Sequence, residues 1–151
     1  MMNPPLRLLT AYQNAHGTTP DVLVEVPGRA MWLAAQPAES HRQMLTVPDL
    51  GGQATFDLQS AKQMRTVRSR PLPKWARIPA GVLLSLVTQP TMMFPGMACV
   101  VVGDEPTGPR YEYSLGMAYA ALWYQLNEMT VNEPMLIELL EHVQRDVLRM
   151  P

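Results

Sequence analysis

The sequence predicts an α+β domain, and three stretches carry that prediction. Cys99-Val100-Val101-Val102 is an apolar, β-branched run of the kind buried in a sheet. Leu115, Ala118, Tyr119, Leu122 and Leu126 recur at spacings of three and four, the period of one helix face. Leu136, Ile137, Leu139, Leu140, Val143, Val147 and Leu148 repeat that pattern near the end of the chain. At 151 residues the chain is long enough for a single domain, residues 1–151, with its own core.

Taken in order, Pro5 to Ala15 reads as a helix with Leu6, Leu8, Leu9 and Tyr12 on its apolar side, ended by His16-Gly17. Thr18 to Asp21 is a turn, Val22 to Val26 a strand, and Pro27-Gly28-Arg29 follows it. From His41 to Gly52 the pattern supports one strand, around Gln43 to Val47. Ser60 to Pro73 is polar, with Lys62, Arg65, Arg68 and Arg70 close together. That stretch is either an anion or nucleic-acid patch or an exposed, partly mobile loop, and the near-neutral chain favours the loop. Lys74 to Leu86 is a helix with Trp75, Ile78, Val82 and Leu86 on one face, Trp75 serving as a core anchor. Pro79 inside it is expected to delay its start or kink it. A loop from Gln89 to Gly96 leads to the Cys99 strand, and Gly103 to Pro109 is a turn-rich loop before the Leu115 helix. Asn132 is a fitting N-cap for the last helix, with Pro134 in its first turn.

Composition narrows the function classes. A formal charge of −1, with acidic and basic residues intermixed in sequence, gives no electrostatic ground for a nucleic-acid or membrane partner. The single cysteine, Cys99, excludes a disulfide framework and reads as a buried thiol in a reducing compartment. No apolar run approaches the roughly 20 residues that span a bilayer. Met1-Met2-Asn3-Pro4-Pro5 lacks a signal-peptide layout, so a cytoplasmic protein is expected. Ser-His-Asp, CxxC and HExxH arrangements are absent, and Glu39 with His41 lacks a third partner, so no metal site is expected.

The strand, glycine-containing loop and helix from Met97 to Asn127 form the arrangement that most often holds a phosphate, with free amides and the helix dipole aimed at it. Here the loop has no lysine and few glycines, and Glu112 stands near the helix start. Gly103-Asp104-Glu105-Pro106-Thr107-Gly108 resembles the first half of G-D-x-P-x-G-A-G-L-S-S-S-A, the phosphate-loop motif of the GHMP-superfamily sugar kinases, and of galactokinase most closely. Pro109-Arg110-Tyr111-Glu112-Tyr113 replaces the small residues of the second half, and only Ser114 remains of its serines. Pro27, Gly28 and Arg29 match the family's P-G-R, and Leu33 keeps its apolar character. Met31 stands for the asparagine, Ala34-Ala35-Gln36 replaces Gly-Glu-His, and Pro37-Ala38-Glu39 occupies the sugar-binding Thr-Asp-Tyr positions. Gln53 to Leu58 resembles R-F-x-L-D-D-L, after a deletion expected to trim the sheet. Trp75, Gly81, Val82 and Leu86 fit W-A-x-Y-x-x-G-V-x-x-A-L.

This resemblance implies the N-terminal domain of such a kinase: a mixed sheet of roughly four strands with helices packed on one side. It implies a nucleotide-loop position at Gly103, Asp104, Pro106, Gly108 and Ser114, and a vestigial motif at Pro27, Gly28 and Arg29. Arg29 matches a catalytic-site arginine that offsets charge on the transferred phosphoryl group, although with its neighbours replaced a structural role is favoured. The family's catalytic aspartate has no counterpart here, Asp146 being the nearest acid. A catalytically degenerate binding or interaction module is therefore expected, with no cofactor. The alternative is one subunit of a split sugar kinase, which would need ATP and magnesium. Self-association is expected as a homodimer, or a partner protein in its place. The last helix, Trp123 and exposed methionines are the candidate seam.

Overall fold

The computed structural model describes residues 4–149; the leader reading of Met1, Met2 and Asn3 falls outside them. Five strands form one sheet: β1 (Val22–Glu25), β2 (Met31–Pro37), β3 (Gln43–Val47), β4 (Gly52–Phe56) and β5 (Met97–Gly103). Their order is β1-β2-β5-β3-β4, antiparallel throughout except for the parallel β3–β5 pair. The mixed α+β sheet is as expected. It has five strands rather than about four, because Met31–Pro37 and Gly52–Phe56 both join it.

β5 lies at the centre, and every one of its seven residues is buried. That follows from helices on both faces. Cys99 and Val101 join Leu33, Ala35 and Leu45 in the main core, and the alternating Val100 and Val102 join Ala34 on the opposite face. There the first helix, α1 (Leu6–His16), lays down Leu8 and Tyr12. Tyr12 also donates its hydroxyl to the Ala98 carbonyl at 3.1 Å. The expectation of helices on one side is corrected for α1 alone. Gly17 closes α1 at φ 70°, the left-handed C-terminal position where a Cβ is costly.

The short α2 (Leu58–Ala61) is capped reciprocally by Asp57 and Ser60. α3 (Lys74–Leu86) starts at Lys74, so Pro79, buried within it, does not delay its start. Trp75 is half-buried over Gly52 at the head of β4, so it packs at the core's margin rather than anchoring it. α4 (Pro109–Leu126) is the central helix, with an unbroken buried run from Ser114 to Trp123. Its Leu115, Met117 and Leu122 each contribute about 1.5–3 kcal/mol by burial. Trp123 is fully buried against Phe94 and Tyr119, ring centroids 5.1 and 5.6 Å away. It belongs to the core and cannot be a seam residue.

α5 (Glu133–His142) has the expected Asn132 cap, whose side chain accepts the Met135 N–H at 3.0 Å. It loosens into one π turn, Val143–Val147, closed by Leu148 N–H to the Val143 carbonyl at 2.8 Å. Gln43, the one buried side-chain amide among the described residues, ties three elements together. It donates to the Pro95 carbonyl at 2.9 Å and accepts from the Tyr119 hydroxyl at 3.0 Å. Among the described residues no helix is long and apolar enough to cross a membrane.

Candidate functional site

The β5–α4 junction is built as the sequence suggests, but the amides at the end of the strand are already occupied. Gly103 ends β5, its N–H donating to Asp49 Oδ2 at 2.8 Å and its carbonyl accepting from Arg7 Nη2 at 2.7 Å. Asp104 donates its N–H to the Ala30 carbonyl at 2.8 Å and accepts from Arg7 Nη2 at 3.0 Å. Asp49 sits in a 3-10 turn, Pro48–Leu50, between β3 and β4. Its Oδ1 takes Arg7 Nη1 at 2.8 Å, and its Oδ2 takes the Tyr111 hydroxyl at 2.5 Å. An internal carboxylate thus lies against the strand end where a phosphate would find the Gly103 amide.

Electrostatics reinforce this. Burial pushes the Tyr111 phenol up, and the bonded Asp49 carboxylate pushes it further. For Arg7, desolvation is outweighed by Asp49 and Asp104, which raise it. Glu105 pairs with Arg110 at 3.4 Å, and Glu112 lies in the first turn of α4. Carboxylates crowd a helix start that would otherwise favour an anion. Pro109 is the first helical residue and has no N–H to offer, and Gly108, at φ 109°, is an N-cap without a side chain. Pro106 is exposed in the loop between β5 and α4.

The two stretches that resemble the kinase motifs do meet. Arg29 Nη1 donates to the fully buried Ser114 Oγ at 3.4 Å, and its guanidinium lies 5.6 Å from the Tyr113 ring centroid. Gly28, at φ 77°, lets the turn pass beneath the Glu133 carboxylate, which any Cβ there would strike. Pro27 precedes it, half-buried, in the same turn. Glu39 and His41 lie exposed between β2 and β3. Among the described residues no group of three His, Cys, Asp or Glu could hold a metal ion. Arg7, Asp49 and Tyr111, which organise the junction, are the residues that sequence reasoning missed.

No protein-family model matches the chain, and no curated protein matches it in sequence. Solved structures do. Galactokinase of Lactococcus lactis, solved with galactose, superimposes with a TM-score of 0.71 at 16% identity, covering 97% of this chain and 43% of that one. The fold is that of the N-terminal domain of GHMP kinases. Mevalonate kinase of Methanococcus jannaschii gives a TM-score of 0.61 at 9% identity, over 80% of this chain and 38% of that enzyme. The chain spans less than half the length of either kinase.

Proposed function

We propose that this chain is a non-catalytic domain of GHMP-kinase fold, serving as a binding or interaction module. One observation carries the reading: Asp49 takes the Gly103 amide and the Tyr111 hydroxyl. A triphosphate approaching the strand end would meet the Asp49 carboxylate, already holding the Gly103 amide, in place of a free donor. Pro109 and the bulk of Arg110, Tyr111 and Tyr113 support the same conclusion. No cofactor enters this reading, and the cytoplasm is its setting.

Titration calorimetry with magnesium-ATP, alone and with galactose or other hexoses, tests it. No saturable heat from the β5–α4 loop is expected; micromolar ATP binding there, or phosphorylation of a hexose, overturns it. The adjacency of Arg29 and Ser114 favours a second reading, one subunit of a split ATP-dependent sugar kinase. That reading requires ATP binding to appear once a complementary chain is supplied.

A further inference from the structure

We propose that a cleft on the outer edge of the sheet binds a compact, soluble polyphosphate group. The cleft, about 430 Å³, is bounded by Gln53 and Thr55 of β4, by Arg42 just before β3, and by Arg68 and Arg70 of the following turn. Its Arg42 flank lies far from the β5–α4 loop, while Gln53 is level with Val100 two strands away. Gln43 pairs with Met97 at the start of β5, so Arg42 lies at the end of the sheet opposite Gly103. Six steps along the strand separate Met97 from Gly103, which places those two residues roughly 20 Å apart.

The arginines are mounted on a closed turn rather than the loose loop that composition suggests. Thr66 Oγ1 accepts the N–H groups of both Arg68 and Arg70 at 3.3 Å. Thr66 N–H reaches the Arg70 carbonyl at 2.7 Å, and Val67 N–H fastens the turn to the Thr55 carbonyl at 3.0 Å. Arg65 spends its guanidinium on the turn itself, donating to the Ser69 carbonyl at 2.8 Å. A backbone so fixed loses little conformational entropy when a ligand arrives.

The cleft also lacks its counter-charge. Among the described residues, Arg42, Arg68 and Arg70 form no ion pair, and no carboxylate lines the cleft. The near-neutral total hides a separation of charge, which corrects the reading of acidic and basic residues as intermixed. Residues 42–77 hold seven of the twelve Lys and Arg but two of the thirteen Asp and Glu. Residues 104–146 hold eight of the acids. Three like charges in one cleft repel until an anion joins them. Guanidinium groups match phosphate oxygens in bidentate fashion, so three of them select a ligand with several phosphoryl oxygens. Among the described residues no aromatic side chain lines the cleft, which removes the base stacking that holds single-stranded nucleic acid.

Calorimetric titration with sodium tripolyphosphate at constant ionic strength tests the proposal. Saturable one-to-one binding is expected, weakened at least about tenfold in the triple variant R42Q/R68Q/R70Q and unchanged in Arg145→Gln, which lies outside the cleft. The single variant Arg68→Gln, at an exposed position, should show a partial loss if the triple variant folds poorly. Amide resonances of Thr55 and Thr66 should shift on titration. No saturation at millimolar tripolyphosphate overturns the proposal, as does binding that survives the triple substitution. So does a preference, at equal phosphate, for a single-stranded oligonucleotide or for vesicles bearing multiply phosphorylated headgroups. Any magnesium-ATP heat retained by the triple variant belongs to the β5–α4 loop and bears on the kinase reading instead.

Discussion

Asp49 answers to three partners from three separate elements, and its replacement should be felt beyond the surface. Arg7 is about half exposed, so their ion pair contributes little by itself. The larger loss is the Gly103 N–H and the Tyr111 hydroxyl, left with a poorer acceptor. Asp49→Asn should cost about 1–3 kcal/mol, read as a lower urea midpoint at unchanged slope. An unchanged midpoint would show the junction to be held by packing alone. The tyrosines set a pH limit at the same scale. Burial raises Tyr12, Tyr111 and Tyr119 above the ordinary value of 10.0. The fold favours their neutral form, so the contribution of these tyrosines is fully present below pH 10 and declines as the unfolded chain ionises first. Thermal melts should therefore fall between pH 10 and 11, and fall less steeply in Tyr111→Phe.

The helices cross closely, and one glycine permits it. A Cβ on Gly116 of α4 would press into Ile78 of α3 and Leu140 of α5. Gly116→Ala should cost about 1–3 kcal/mol despite its better helix propensity, seen as a drop in melting temperature. A rise would mean the crossing has slack. Elements with a strong period were legible in sequence: α3, α4, α5 and β5 fall where apolar spacing or β-branched runs put them. β2 was not, because Met31–Pro37 has no β-branched residue and ends in proline. Its burial comes from lying beside β5, which no local pattern announces. The site divides in the same way. Gly103, Arg29 and Ser114 could be found by motif, whereas Asp49 lies in a three-residue turn more than fifty positions from the glycine it bonds. Only the β3–β5 pairing brings them together.

At the scale of the whole molecule, two of the exposed apolar side chains flank a corner at the end of α4, while Leu6 and Leu9 of α1 and Leu58 of α2 lie on other elements. Met93 is 75% exposed and Met129 43%. Asn127 binds the backbone of Met93 from both sides, at 2.8 and 3.1 Å, bringing the loop before β5 against the end of α4. A largely apolar cleft of about 630 Å³ with Phe94, Pro95 and Leu126 adjoins them. We propose this corner, with Trp123 excluded from it, as the seam of a homodimer alongside the α5 face. Light scattering at high micromolar concentration should give twice the chain mass of 16.9 kDa, and Met93→Glu should return it to the monomer. A monomer in the unaltered protein would end that proposal.

Cys99 sits mid-strand between Ala35 and Leu45, with no surface exposed, and its burial drives the thiol away from the reactive anion. The chain therefore carries its own clock. A thiol reagent can reach that sulfur only when the centre of the sheet comes apart, so the speed of labelling counts those openings one molecule at a time.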